Sequence, residues 1–123
     1  MGSPQDISAT GHMSARLLDE PAKRAVDEDS SLEASARLFR ALGDRSRLAV
    51  LDSLRGGPRC VSDLVSETGL SQPNVSGHLA LLRELGLVQA ERRGRFVYYA
   101  LCAVELEVIL STAEGLMDRS RPA

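Results

Sequence analysis

Apolar side chains recur at helical spacing along most of the chain, and the spacing turns strand-like in one place. From Ser31 onward, Leu32, Ala36, Phe39 and Ala41/Leu42 fall on one face, with Ser30 or Ser31 as N-cap and Gly43 as the stop. Asp44 caps a second helix, DRSRLAVLDSLRGG. There Leu48, Val50, Leu51 and Leu54 repeat at helical steps, Arg45 and Arg47 stand in the first turn, and Gly56-Gly57-Pro58 ends the element. A short third helix, CVSDLVSETG, keeps the pattern at Val61, Leu64 and Val65, and Gly69-Leu70-Ser71 turns into a fourth. The fourth, QPNVSGHLALLRELG, takes Ser71 as N-cap and carries Pro73 in its first turn, where a missing N–H is tolerated.

After Gly86 the period changes. The segments LVQAE and FVYYAL, joined by RRGR, are rich in β-branched and aromatic residues and predict a hairpin. A last helix is expected from about Ala103 to Met117, where Val104, Leu106, Val108, Ile109, Leu110, Ala113, Leu116 and Met117 cover more than one face. The pattern predicts a mainly α fold with a small β-hairpin. The opening MGSPQDISATGHM, residues 1–13, is expected to be an expression-tag remnant, which takes His12 with it and leaves His78 as the one histidine of interest. Residues 14–30 are polar and acidic around Pro21 and read as a flexible or partly helical arm. Residues 31–118 carry the folded domain, and 119–123 form a tail.

Composition narrows the class. With 123 residues, 43% hydrophobic, the chain is the size of one globular domain, which excludes collagen-like and disordered readings. No segment is long and apolar enough to span a bilayer, and no basic stretch precedes an apolar one, so a cytoplasmic location is expected. Two cysteines and two histidines are too few for a zinc-built framework. The net charge of −2 conceals a partition: the acids gather toward both ends and the arginines toward the middle. Arginine supplies nearly all the basic side chains, and its planar fork suits phosphate and guanine.

The third and fourth helices form a short αα unit whose second member is polar in front and apolar behind. Gln72, Asn74, Ser76 and His78 occupy its first half, and Val75, Leu79, Leu82 and Leu85 form the buried side. A recognition helix needs this layout: its first turns enter the major groove, where Gln and Asn pair with adenine and Ser and His make single contacts. Ser71 adds a helix N-terminus that attracts phosphate. A polar helix start also describes an ordinary solvated face. The hairpin tips the balance, because Arg92, Arg93 and Arg95 surround Gly94 at the end of a ribbon and repel one another unless a polyanion neutralises them.

The segments FRALGDRSRLAVLDSL, CVSDLVSETGLSQPNVSGHLALLRELGLV and ERRGRFVYYAL, in that order and spacing, resemble the ArsR/SmtB family of bacterial winged-helix repressors over about residues 31–117. The resemblance implies a winged helix-turn-helix in an α-helical dimer built through the first and last helices. It also implies binding to double-stranded operator DNA of inverted repeats and release by an inducer. The over-apolar last helix agrees, since a two-fold partner would cover the surplus.

The resemblance also offers two places for a metal. In the last helix, where metal-binding members carry an Asp-x-His pair and later His or acidic ligands, this chain has Ala103 and Glu105, then Leu116 and Arg119, so zinc, nickel or cobalt is not expected there. At the third helix, Cys60 stands at the first cysteine of the family's CVCDL motif and Asp63 at its carboxylate, while Ser62 replaces the second cysteine. Asp27, Glu28 or Asp29 of the arm can add oxygen ligands. Cys102 offers another route: a short strand at Arg59 to Val61 paired with the end of Phe96 to Leu101 would bring both sulfurs together. Such a pair would bind a soft metal or metalloid ion, or oxidise to a disulfide, if the Cα atoms lie within about 7 Å. Free cysteines also serve as small buried hydrophobes. Sensing at Cys60, Asp63 and Cys102 therefore stands beside a regulator without metal sensing. A winged-helix protein-interaction module is the competing function, and an enzyme is not expected, because no nucleophile has an evident base.

Overall fold

A computed structural model describes the backbone of residues 21–120 and the side chains of residues 30–120. The elements are α1 (Pro21–Leu42), α2 (Arg45–Leu54), α3 (Val61–Thr68), α4 (Gln72–Glu84), β1 (Val88–Arg93), β2 (Phe96–Leu101) and α5 (Val104–Ser120). Residues 1–20, which include the segment expected to be a tag remnant and the first part of the expected arm, and residues 121–123 lie outside the described residues. The chain divides after Phe39 into two units.

In the first unit, α1 starts at Pro21 rather than at the expected Ser30/Ser31 cap. Proline is accommodated in a first helical turn, and no glycine or further proline interrupts the chain before Gly43. The arm expected at 14–30 is thus helical from Pro21 on. Leu32 and Phe39, members of the one apolar face, are exposed.

The second unit, from Arg40, holds the core. Val50, Leu51 and Leu54 of α2, Leu64 of α3, Val75, Leu79 and Leu82 of α4, Val88 of β1, and Leu106 and Leu110 of α5 are buried together with Ala41 and Leu42. Burial of this kind is worth roughly 1.5–3 kcal/mol per side chain. At the start of α2 the Asp44 carboxylate accepts the Arg47 backbone N–H at 2.9 Å. β1 and β2 pair antiparallel from Val88↔Leu101 to Arg93↔Phe96. That register leaves Gly94 and Arg95 as the whole turn, with Gly94 at φ +65, a left-handed conformation glycine adopts without strain. The connection between α2 and α3 adds one residue to the sheet: Arg59 and Tyr99 exchange backbone hydrogen bonds of 3.0 and 2.8 Å.

Two clamps hold the helices around this core. Arg55 at the end of α2 donates through Nε and Nη2 to both carboxylate oxygens of Glu107, at 2.9 and 3.0 Å, and through Nη1 to Glu114 at 2.7 Å, tying α2 to α5. Glu67 at the end of α3 accepts from the Ser53 hydroxyl and from Arg59 Nε at 3.0 Å. Both carboxylates are held below their ordinary range, Glu107 by the Arg55 hydrogen bonds and Glu67 first by Ser53 and then by Arg59. Among the described residues no helix is long and apolar enough to cross a membrane.

Candidate nucleic-acid interface

The turn between α3 and α4 is built from three local interactions. Gly69 takes φ +76 and returns its N–H to Val65 at 3.0 Å. Thr68 Oγ1 donates to the Leu64 carbonyl at 2.6 Å and accepts the Leu70 N–H at 3.2 Å. Ser71 then caps α4 by accepting the Asn74 N–H at 3.2 Å. The consequence is a fixed entry angle for α4. Its rear, Val75, Leu79 and Leu82, is fully interred against the core.

That anchoring turns the polar front outward. Ser71, Gln72, Pro73 and Asn74 are exposed, Ser76 is half-buried and Gly77 is exposed. His78 is placed differently from the others. It flanks the apolar rear, is half-buried, and its Nε2 is buried without a hydrogen-bond partner in the described structure. It lies near Asp44, whose carboxyl is held below its ordinary range chiefly by the Arg47 N–H, with His78 acting in the same direction. Arg47 completes this corner by donating from Nη1 to the Ala41 carbonyl at 3.1 Å.

The hairpin follows α4 directly. Its register moves Arg92 and Arg93 out of the expected four-residue tip and onto the end of β1, where alternation sends them to opposite faces. Arg93 has partners of its own: Glu91 at 3.3 Å and the Tyr98 ring, whose centroid lies 5.3 Å from the guanidinium carbon. Arg92 and Arg95 are exposed, and their side chains make no hydrogen bond or ion pair among the described residues. Two outward cations per wing and a polar helix front are the means by which a protein meets a duplex, the first on phosphate and the second on base edges.

The profile described as "Bacterial regulatory protein, arsR family" matches residues 44–90, the span from the α2 cap to the first wing strand. The chain is 35% identical over 108 residues to the HTH-type transcriptional repressor SmtB of Mycobacterium tuberculosis, covering 88% of this chain and 80% of that one. It belongs to the ArsR/SmtB family of transcriptional repressors. Solved structures agree with that placement. NolR from Sinorhizobium fredii is similar with a TM-score of 0.69 at 30% identity, over 73% of this chain and 90% of NolR. The homodimeric winged helix-turn-helix DNA-binding domain Mb0332 from Mycobacterium bovis gives a TM-score of 0.66 at 26% identity over 93% of each chain. The fold is accordingly a winged helix-turn-helix, with α3–α4 as the helical pair and β1–β2 as the wing.

Of the residues considered for sensing in this ArsR/SmtB chain, Cys60 and Asp63 lie together and Cys102 lies apart from them. Cys60 is buried at the start of α3, its N–H donates to Asp63 Oδ2 at 3.2 Å, and its Sγ lies 3.2 Å from Ser62 Oγ. The Asp63 carboxylate is therefore engaged as a helix cap. Cys102 is exposed, and both thiols are free. The pairing that was to bring them together joins Arg59 to Tyr99 at mid-strand rather than to the end of β2. That register sets Cys60 opposite Tyr98, four residues from Cys102, or about 13 Å of extended chain. Among the described residues no group of three or more His, Cys, Asp or Glu side chains is gathered, and the side chains of Asp27, Glu28 and Asp29 lie outside the described residues.

The clamps at Arg55 and at Glu67, and the approach of His78 to the Asp44 cap, have no local signal in the sequence, because their partners stand 8 to 59 residues apart.

Proposed function

We propose that this protein is a dimeric, cytoplasmic transcriptional repressor that binds double-stranded operator DNA of inverted repeats and leaves it when an inducer acts. The observation that carries the reading is the two-sided burial of α4: Val75, Leu79 and Leu82 lock the helix down while Gln72 and Asn74 stand exposed at its front. Gln72 and Asn74 offer paired donors and acceptors to adenine, Ser71 and Ser76 offer hydroxyls, and His78 stands at the margin of the same front. Arg92 and Arg95, with Arg93 more weakly, hold the phosphate backbone.

A second copy is the partner for α5. Val104, Val108, Leu116 and Met117 are exposed large apolar residues on that helix, more than a solitary small domain leaves uncovered. A two-fold dimer would set two α4 helices one turn of duplex apart and so ask for inverted half-sites. The homodimeric state of Mb0332 supports this assembly.

The test is fluorescence anisotropy with duplexes enriched from a random library on the wild-type protein. Tight binding that falls steeply with salt, relaxed in sequence preference by Gln72→Ala or Asn74→Ala, is the expected result. Salt-insensitive or absent DNA binding would leave the winged helix as a protein-interaction module.

A further inference from the structure

We propose that Gly77 is a binding residue of the DNA interface: its missing side chain lets the duplex approach the α4 backbone. The inference rests on the DNA-binding reading above and deepens it.

Most glycines here have an internal reason. Gly57, Gly69, Gly86 and Gly94 take positive φ values, and a Cβ at Gly56 would stand 2.8 Å from Arg59 Nη2. Gly115 is half-buried in α5, with Arg119 Nη1 at 3.9 Å from its Cβ position. Gly77 has none of these. It lies within α4 in helical backbone, it is exposed, and a Cβ there would meet nothing within 4 Å beyond its chain neighbours and the backbone of its own helical turns. Neither conformation nor packing requires glycine, yet glycine weakens a helix interior relative to alanine. The compensation must come from outside the chain.

The location says from where. Helical periodicity sets Gly77 over Pro73 and Asn74, on the exposed side of α4 and away from Val75, Leu79 and Leu82. It is therefore next to a residue proposed to read bases, one turn deeper along the same front. A groove wall seated on Asn74 would pass over Gly77, and close approach of backbone to a ligand is a role that suits glycine.

Stability and binding should respond in opposite directions, which a purely structural glycine would not produce. Gly77→Ala and Gly77→Met are compared with wild type by thermal melting and by anisotropy on one duplex enriched from a random library on the wild-type protein. The expected result for Gly77→Ala is a melting temperature higher by about 4 °C with affinity lower by about tenfold, the scale of one lost contact. Gly77→Met should also melt above wild type and bind more weakly still. Variants that melt higher and bind as tightly as wild type would overturn the inference while leaving DNA binding intact. Variants that melt lower would also overturn it, by showing that the chain itself needs the glycine. If wild type enriches no duplex, the DNA-binding reading fails and the inference falls with it.

Discussion

The wing gives the sharpest quantitative prediction, because its register separates three arginines that look equivalent in sequence. Arg92 and Arg95 are exposed without partners among the described residues, whereas Arg93 sits 3.3 Å from Glu91 and over the Tyr98 ring. Each phosphate neutralised on duplex DNA contributes about 0.9 to the slope of log affinity against log salt. Two arginines on each of two wings make four contacts, so the double variant Arg92→Ala/Arg95→Ala should lower the slope by about 3.6. Over a fourfold rise in salt, wild type should then lose about 100-fold more affinity than the variant does. Arg93→Ala should change the slope by less, since its charge is already shared with Glu91. The assay is anisotropy titration of one enriched duplex at several salt concentrations, with melting curves to confirm that these exposed substitutions leave the fold intact. A slope unchanged in the double variant, or lowered more by Arg93→Ala, would refute the assignment of the wing.

Three further outcomes follow from the clamps and the thiols. Asp44, Glu67 and Glu107 titrate below their ordinary range, so their contribution to stability is complete above the unfolded carboxylate pKa and is lost as pH falls through the folded one. Urea midpoints should therefore hold near neutrality and decline below about pH 4.5, less steeply in Glu67→Gln; a midpoint constant down to pH 3 would contradict this. Arg55→Ala removes the α2–α5 clamp, and with its carboxylate partners largely solvated the loss should be about 1 kcal/mol, read from urea denaturation; no change would show that solvent screens the clamp completely. A thiol reagent should modify one cysteine rapidly in the folded protein, the exposed Cys102, and Cys60 only on unfolding. Two fast thiols, or none, would contradict the burial assigned to them.

What could be read from the sequence was whatever is local. The stripe Val75, Leu79, Leu82 and the polar residues between them specify α4 and its front at a spacing of three and four, and the Ser71 cap and Gly69 turn are equally short-range. The start of α1 is not legible, because two good capping serines, Ser30 and Ser31, lie inside a segment that continues as helix. The wing tip is narrower than the sequence suggests, since RRGR permits several turns and only the pairing of Arg93 with Phe96 selects the two-residue one. Cys60 and Cys102 depended on a strand register that no local pattern fixes. Arg55, Glu107 and Glu114 are ordinary surface residues in sequence, and only the packing of α2 beside α5 makes them a clamp.

The exposed front of α4 and the wing arginines are proposed to face a duplex together. Backbone amide NMR of the full chain, titrated with one enriched duplex, tests it residue by residue. Shifts should concentrate at Gln72 to Gly77 and at Arg92 to Arg95, with two chains bound per duplex. Shifts gathered elsewhere, with the Gln72 to Gly77 amides unmoved at saturation, would contradict it.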